Sequence, residues 1–290
     1  MAELLTDKWQ QRAALREAGA DSVRTAMIHP EADRGGSRRA EARPRGRRRQ
    51  YLPRPGRGQG GSATCARCRR RPGRGLVQGG GLVLEQYLVG RPTGPFGDDV
   101  SGEIAVVEGD RTTIGVRGKP PLVPPFRETG RLWPSPFGRA EDEEFTALAR
   151  SAVAALGIRT GITHTELEVT PQGPCLIEVN GRLGGGIQEL SLSAMDLDLT
   201  GYAARIALGE TAPSRLVPVE GVHFQLILLA PRRSCEVVAT EAVGVVGGVV
   251  PDHDAYVAPV ERINSSVRRG FAFEGEPQPR FVNGTERFSL

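Results

Sequence analysis

The sequence has no apolar run that approaches the length of a membrane span, and its first ten residues lack the apolar core of a signal peptide. We therefore expect a cytoplasmic protein with no membrane partner. Cysteine is also scarce, with four in 290 residues, which argues against a disulfide scaffold. Cys65 and Cys68 form a single C-x-x-C without a second pair, so the spacing does not predict a zinc site.

Aliphatic residues are nearly absent from residues 31–75, where Leu52 is the only one larger than alanine. No helix or strand periodicity can be found there and no core can form, so we expect residues 28–80 to be disordered. Residues 31–75 hold fifteen arginines against three carboxylates, a balance of +12. Because the whole chain carries +4, the remaining residues carry −8, and the part that can fold is acidic.

Two interpretations of this arginine-rich segment stay open. One is a genuine arm that binds nucleic acid electrostatically. Tyr51 is its only aromatic residue, so it lacks the interleaved stacking side chains of a single-strand binder. The interpretation we favour is a slipped reading frame, because out-of-frame translation of a G+C-rich gene yields Arg, Gly, Pro and Ala. Nucleic acid is therefore expected as a partner only through residues 31–75.

Residues 157–186 contain the pattern around which the chain is organised. They read as a strand, a turn at residues 170–173 with the sequence Thr-Pro-Gln-Gly, and a second strand. Side chains along a strand alternate with period two, so His164, Glu166 and Glu168 should share one face of the first strand.

The second strand is expected to bring further oxygen ligands to this face. If the hairpin is symmetric about Gln172, Glu178 lies directly opposite Glu166, and Asn180 shares its face. Opposed carboxylates repel unless a cation lies between them, and hard ions such as Mg²⁺ prefer oxygen ligands. Arg182 and a glycine triplet follow, and both can approach phosphate oxygens. These residues predict a metal and phosphate site; a solvated hairpin with a polar outer face is the alternative.

Glu166, followed twelve positions later by Glu178-Val179-Asn180-Gly181-Arg182, resembles the metal-binding signature of the ATP-grasp superfamily. The neighbouring residues 164–167 and 174–178 are most similar to carboxylate–amine ligases, including L-amino-acid ligases. The resemblance implies an α+β fold of the ATP-grasp type, with an incomplete small subdomain, a larger α+β subdomain and a β-rich C-terminal subdomain.

The resemblance also implies roles for individual residues. Glu166, Glu178 and Asn180 would hold Mg²⁺ (or Mn²⁺) ions that bridge the phosphates of ATP. Arg182 would face the transferred phosphoryl group or the acyl phosphate. Lys8, in the helix that opens the chain, would reach an ATP phosphate.

The strand within residues 81–90 resembles the ATP-grasp hinge. On that resemblance the nucleotide contacts would be Glu85, Gln86, Tyr87 and Leu88, and an ordinary strand end is the alternative. The family normally has a domain of about a hundred residues before the opening helix. It also has a second ATP lysine and a glycine-rich phosphate loop, which are missing where the arginine-rich segment lies. Lys119 is the only other lysine and lies far downstream.

Local patterns predict the remaining elements and a division of the chain. Residues 5–18 should form a helix with Leu5, Trp9 and Ala13 on one stripe, and residues 101–116 a hairpin. Arg127 and Arg131, in a proline-rich loop, are expected at the solvated surface, and contact with an acidic substrate is the alternative. Further predictions are the loop at residues 120–136, helices at 141–156, 187–195 and 197–208, and strands at 222–229 and 243–250. The predicted divisions are the opening helix (1–27), the arginine-rich segment (28–80), the ATP-grasp core (81–210) and the β-rich subdomain (211–290).

The function expected from the resemblance is formation of a C–N bond. Mg²⁺-ATP would phosphorylate a small-molecule carboxylate, and an amine would attack the acyl phosphate to give an amide. Because the N-terminal part departs from the family, an inactive ligase is a further expectation that stays open. The alternatives are an enzyme resembling biotin carboxylase or carbamoyl-phosphate synthase, and a non-catalytic fragment with a nucleic-acid-binding arm. A homo-oligomer is compatible with any of them.

Overall fold

The computed structural model describes residues 2–28, 82–123, 126–210, 220–229, 236–237, 244–269 and 271–272. Residues 29–81 lie outside the described residues. The predictions made for them are disorder, a nucleic-acid-binding arm and no zinc site at the C-x-x-C. Within the described ranges, no helix combines the length and the apolar character that a membrane crossing requires.

Six α-helices and eleven strands are assigned in the described chain. The helices are α1 (Ala2–Thr6), α2 (Lys8–Glu17), α3 (Arg139–Ala155), α4 (Ile187–Met195), α5 (Leu199–Ala207) and α6 (Val257–Arg269). The strands are β1 (Thr25–Ile28), β2 (Leu82–Glu85), β3 (Asp99–Val107), β4 (Asp110–Gly118), β5 (Gly130–Trp133), β6 (Gly161–Thr170), β7 (Gly173–Asn180), β8 (Val222–Leu228), β9 (Glu236–Val237), β10 (Gly244–Val250) and β11 (Phe271–Ala272).

Most of the strands form one antiparallel sheet of seven, in the order β10-β8-β5-β4-β3-β6-β7. The pairs β1-β2 and β9-β11 form two small antiparallel sheets. The strands β8 and β10 were predicted within a C-terminal subdomain. They extend the sheet that carries the predicted metal hairpin.

Helices cover both faces of the large sheet. Ile104 of β3 packs in one buried cluster with Phe145 of α3, whereas Ala105 packs in another with Leu190 of α4 and Tyr202 of α5. Successive side chains of a strand point to opposite faces, so α3 covers one face and α4 with α5 covers the other. Each large apolar side chain buried in this way contributes about 1.5–3 kcal/mol of transfer free energy.

The predicted helix at residues 5–18 is two helices, and the predicted stripe of Leu5, Trp9 and Ala13 is divided between them. The Asp7 carboxylate accepts hydrogen bonds from the backbone N–H groups of Trp9 and Gln10, at 3.0 and 3.2 Å, and so caps α2. Ala13 is exposed. The buried residues of α2 are instead Gln11, Arg12 and Leu15. Polar residues are buried there because the helix packs against the backbone of a sheet edge, which needs hydrogen-bonding partners.

The proline-rich segment was predicted to be a loop, and this is wrong for residues 130–133. They form β5, which lies between β4 and β8 in the large sheet. Gly130 permits the close approach to β8, because a side chain there would collide with the Gln225 carbonyl. A strand of four residues flanked by prolines is too short to show the alternation that identified the longer strands.

The C-terminal part also contains a helix that the sequence pattern did not predict. Helix α6 spans thirteen residues and buries Ile263 in a third cluster with Phe224 and Leu226 of β8. The other predicted elements are confirmed to within two residues at each end, among them α3, α4, α5, β8 and β10. The β3–β4 hairpin turns at Glu108 and Gly109, whose φ angles are 52° and 99°, as a two-residue primed turn requires.

The first turn of α3 carries a carboxyl group whose environment favours protonation. Burial raises the pKa of Asp142 from its ordinary 3.8 to about 6, although the Ser135 hydroxyl donates a hydrogen bond that acts in the opposite direction. The folded state therefore loses stability as the pH rises from about 4 to above 6 and this group ionises.

Asp142→Asn should therefore increase the free energy of unfolding at pH 7.5. We expect about 1 kcal/mol after allowance for solvent screening of this partly exposed group, and no difference at pH 4. Asparagine can still accept the Ser135 hydrogen bond. Urea unfolding of both proteins at the two pH values measures the effect. A variant that is less stable than the parent at pH 7.5 would contradict it.

Candidate metal and phosphate site

The hairpin of β6 and β7 places the predicted ligands opposite one another. Glu166 pairs with Glu178 and His164 pairs with Asn180 in the register of the two strands. All four side chains consequently lie on one face of the sheet, as their alternation predicted.

The register arises differently from the symmetric hairpin that we expected. Next to the turn, Thr170 pairs with Gly173 and Leu167 with Leu176, which is one residue out of step with the Glu166–Glu178 pair. Ile177 is the extra residue that corrects the step, so the strand has a β-bulge at this position. The predicted opposition of the two glutamates is confirmed, but it depends on the bulge.

Positive charge reaches this pair of carboxylates from α2. The Lys8 ammonium lies 3.2 Å from the Glu178 carboxylate and 3.6 Å from that of Glu85. The Asn180 amide donates to Glu178 at 2.9 Å, and an imidazole nitrogen of His164 lies 3.2 Å from Glu166. Lys8 is therefore at the carboxylate face, and its charge offsets the repulsion that the sequence implied.

The donor atoms on this face suit Mg²⁺ or Mn²⁺ bound together with a phosphate group. Glu166, Glu178 and Asn180 supply carboxylate and amide oxygens. In the part of the chain that the structure describes, no group of three or more His, Cys, Asp or Glu side chains is arranged to hold a metal ion. Mg²⁺ is usually bound by one or two carboxylates, water and substrate phosphates, so this donor set fits it.

The predicted nucleotide segment follows β2 and starts beside the carboxylates. Glu85 is buried and its carboxylate accepts a hydrogen bond from Arg12 at 2.7 Å. Gln86 and Tyr87 are exposed, and Leu88 is half-buried. Lys8 and Arg12 both contact Glu85, so this segment starts beside the carboxylate site. Contact of its four residues with a nucleotide stays a prediction.

A polar cavity of about 530 Å³ adjoins Glu166. Four cationic side chains and two carboxylates line it, and two of the cations also contact the buried carboxylates of Asp99 and Glu103. Its charged and imidazole-bearing lining residues are Arg117, Lys119, Glu128, Arg131, His164, Glu166 and Arg182.

Two of the cations are buried and held by carboxylates of β3, and Glu128, which precedes β5, is a further partner of Lys119. Lys119 lies 2.7 Å from Asp99 and 3.0 Å from Glu128. Burial alone would lower the pKa of Lys119, but the combined attraction of Asp99, Glu166 and Glu128 outweighs it and raises the pKa. Arg117 contacts Glu103, and burial lowers the pKa of Arg117 to about 9, which keeps it charged at neutral pH.

The imidazole of His164 lies between the cavity and the carboxylates. Burial lowers the pKa of His164 below its ordinary 6.5. One ring nitrogen contacts both Glu103 and Arg117, and the other faces Glu166. His164 therefore links the buried Glu103–Arg117 pair to the predicted metal ligand.

The glycine triplet closes one side of the cavity. Arg131 of β5 donates to the carbonyl of Gly185, and a side chain at Gly184 would collide with the ring of His164 and crowd the guanidinium of Arg117. Arg182 is exposed and donates to the carbonyl of Leu183 at 2.9 Å. Both arginines therefore line the cavity, although Arg131 had been assigned to the solvated surface of a loop.

Four site residues lay outside the sequence-based prediction: Glu103, Arg117, Lys119 and Glu128. The available signal was the position of Arg117 and Lys119 just after the apolar residues Ile114 and Val116, since charged residues beside buried apolar ones need partners. The partners themselves come from distant parts of the chain and could not be read from local periodicity.

Comparison with known proteins gives partial matches in sequence. No family model matches the chain. Carnosine synthase 1 of Gallus gallus is 31% identical over 151 residues, which cover 51% of this chain and 16% of that protein. The uncharacterized protein y4rH of Sinorhizobium fredii is 35% identical over 111 residues, which cover 37% of this chain and 23% of that protein. The matched residues thus cover less than a quarter of the length of either relative.

Solved structures match over a greater part of the chain. The L-amino acid ligase of Bacillus licheniformis aligns with a TM-score of 0.66 at 15% identity, covering 93% of this chain and 72% of that one. The carboxyaminoimidazole ribonucleotide synthase of Aspergillus clavatus, solved with ATP, aligns with a TM-score of 0.63 at 12% identity, covering 92% and 74%. At these identities the matches report on the fold. Together with the paired Glu166 and Glu178, they show that this chain has the predicted ATP-grasp fold.

Proposed function

We propose that the protein is an ATP-dependent ligase that joins a small-molecule carboxylate to an amine. The observation that carries the proposal is the position of Glu166, which opposes Glu178 on the hairpin and also lines the cation-rich cavity. A metal-bound triphosphate and an anionic substrate would therefore meet at one carboxylate. The likeness to carnosine synthase 1 and to an L-amino acid ligase supports this class of reaction.

The chemistry consists of two displacements. A substrate carboxylate oxygen attacks the γ-phosphorus, and the bond from that phosphorus to the ADP oxygen breaks. The amine nitrogen then attacks the acyl carbon, the bond to phosphate breaks, and the nitrogen loses a proton to solvent. Neither step requires a nucleophilic side chain, so the protein acts by positioning its substrates and neutralising charge.

Specific residues are proposed for these tasks. Glu166, Glu178 and Asn180 would hold Mg²⁺ or Mn²⁺, which when bound neutralises phosphate charge as a Lewis acid. Lys8 would move from Glu178 to a phosphate, since an ammonium and a metal ion compete for that carboxylate. Arg182 would face the transferred phosphoryl group.

The cationic side chains that line the cavity suit the carboxylate substrate. Arg131 and Lys119 would attract a carboxylate, and Glu128 could pair with an ammonium group of the same molecule. Glu128 remains ionised because the adjacent Lys119 lowers its pKa despite burial. Glu85, Gln86, Tyr87 and Leu88 are proposed to seat the nucleotide. The amine, the oligomeric state and the division of the chain into subdomains stay predictions.

Calorimetric titration of the full chain with ATP, with and without Mg²⁺, tests the proposal. We expect binding that requires the metal ion, because the carboxylates repel an unneutralised triphosphate. Absence of binding in the presence of Mg²⁺ and of Mn²⁺ would refute an ATP-dependent activity of this chain. Nucleic-acid binding without ATP binding, falling steeply with salt and lost on removal of residues 31–75, would support the arginine-rich arm instead.

A second assay separates the two enzyme classes. ADP release is measured with ATP and mixtures of amino acids, and separately with ATP, bicarbonate and biotin. We expect release with the amino acids, since they supply both a carboxylate and an amine. Release only with bicarbonate and biotin would assign the chain to the carboxylase branch.

A further inference from the structure

The bulge in β7 decides on which face of the sheet the predicted ligands lie. Leu176 and Val179 are three residues apart, yet both are buried in the same core cluster as Leu167. In a regular strand they would point to opposite faces. The extra residue, Ile177, reverses the alternation and turns Glu178 away from this core, toward Glu166.

Arg12 of α2 binds the backbone of this bulge. Its two terminal nitrogens donate to the carbonyls of Leu176 and Ile177, at 2.9 and 2.7 Å. Carbonyls of consecutive residues in a regular strand point in opposite directions, so one guanidinium can reach both only where the strand is irregular. The remaining donors of Arg12 contact Glu85 at 2.7 Å and Asp21 at 3.2 Å, and the residue is 3% exposed.

Gln11 binds β7 between Glu178 and Asn180, the two predicted metal ligands on that strand. Its side-chain amide donates to the Val179 carbonyl at 2.9 Å and accepts from the Val179 N–H at 3.1 Å. Strand β7 is at the edge of the large sheet, so this pair of hydrogen bonds replaces a neighbouring strand. The peptide between Glu178 and Asn180 is thereby held on its outer side.

We infer that Arg12 and Gln11 are positioning residues of the carboxylate site, which fix the bulge at Ile177 and thereby the placement of Glu178 opposite Glu166. The functional meaning of this placement rests on the proposed ligase activity. The geometric claim does not, because it concerns only the two side chains and the strand that carries one of them.

Disulfide cross-linking of Glu166→Cys with Glu178→Cys tests the geometric claim without a metal. Opposed Cβ atoms in an antiparallel pair lie about 4.5–5.5 Å apart, close to the separation that a disulfide needs. Oxidised glutathione serves as the oxidant, and mass spectrometry of non-reduced peptides distinguishes this link from any made by the four native cysteines.

Arg12→Lys should slow formation of this cross-link by about tenfold or more, because lysine keeps the charge but cannot bind two carbonyls with one planar group. Arg16→Lys is the matched control. Arg16 lies on the same helix but donates to the Val23 carbonyl and the Thr25 hydroxyl, so its replacement should leave the rate unchanged. Equal rates in the Arg12→Lys and Arg16→Lys proteins would overturn the inference.

Deletion of Ile177 provides a second test, which compares the effect of Arg12→Lys with and without the bulge. Without the extra residue, the pairs Leu167–Leu176 and Glu166–Glu178 belong to one regular ladder. Cross-linking in the deletion background should therefore no longer depend on Arg12. A loss on Arg12→Lys that is equally large with and without Ile177 would overturn the inference.

Mn²⁺ titration followed by electron paramagnetic resonance connects the geometry to the proposed function. If the parent binds Mn²⁺, Arg12→Lys should weaken binding by about tenfold and Arg16→Lys should not. A parent that binds no Mn²⁺ but shows the expected cross-linking pattern would contradict the metal site and leave the positioning role intact. A parent that binds Mn²⁺ as tightly as Arg12→Lys would contradict the positioning role alone.

Discussion

Glu178→Gln should reduce Mg²⁺-dependent release of ADP from ATP by about a thousandfold, because one of two metal carboxylates is lost where phosphate charge must be neutralised. Glutamine preserves the shape of the side chain and can still accept from the Asn180 amide, which lies 2.9 Å from Glu178. The measurement is a coupled ADP assay at saturating Mg²⁺ with the amino-acid substrates that the parent uses.

The change at Glu178 should affect the reaction far more than it affects stability. Its side chain is 32% exposed and its ion pair with Lys8 is only partly buried, so thermal unfolding should change little. Glu143→Gln is the matched control, since Glu143 pairs with Arg139 on the exposed side of α3 and lies outside the site. A Glu178→Gln protein as active as the Glu143→Gln protein would show that Glu178 holds no catalytic metal.

Glu103→Gln is expected to have the largest effect on stability, a loss of about 3–5 kcal/mol in the free energy of unfolding. The side chain of Glu103 is fully buried and contacts Arg117, whose own side chain is 2% exposed. Removal of the carboxylate leaves the guanidinium buried without its anionic partner. Urea unfolding at pH 7.5 measures the change.

A double-mutant cycle distinguishes this ion pair from general disruption of the core. Glu103→Gln combined with Arg117→Met should be more stable than the sum of the two single changes predicts, because neither charge is then left buried alone. Arg139→Met, which breaks an exposed pair with Glu143, should have no measurable effect. Additive losses at Glu103 and Arg117 would show that the two side chains are not energetically coupled.

Much of the site could be predicted from residues close together in the sequence. Alternation along β6 and β7 placed Glu166, Glu178 and Asn180 on one face, and the Thr-Pro-Gln-Gly sequence placed the turn. These inferences succeed because strand alternation and turn preference are local properties. The resemblance to ATP-grasp proteins then supplied the fold, which the structural matches bear out.

The cavity beside the hairpin could not be predicted in this way. Lys119, which lies far downstream of the segment where a second ATP lysine was expected, lines it because β4 is two strands away from β6 across β3. Arg131 reaches the cavity from β5, a strand that was taken for a loop. Neighbours across a sheet depend on the order in which distant strands pair, and local periodicity contains no information about that order.

The sequence by itself therefore determined which side chains of one hairpin share a face, where that hairpin turns, and that its carboxylates require a compensating charge. Only the tertiary structure decided what supplies that charge in this chain, namely Lys8 from α2, and which distant cations line the adjoining cavity. It also decided that Glu178 opposes Glu166 through a bulge bound by Arg12. The physical reason is that alternation is set within a strand, whereas register, bulges and buried ion pairs are set by the surfaces that pack against it.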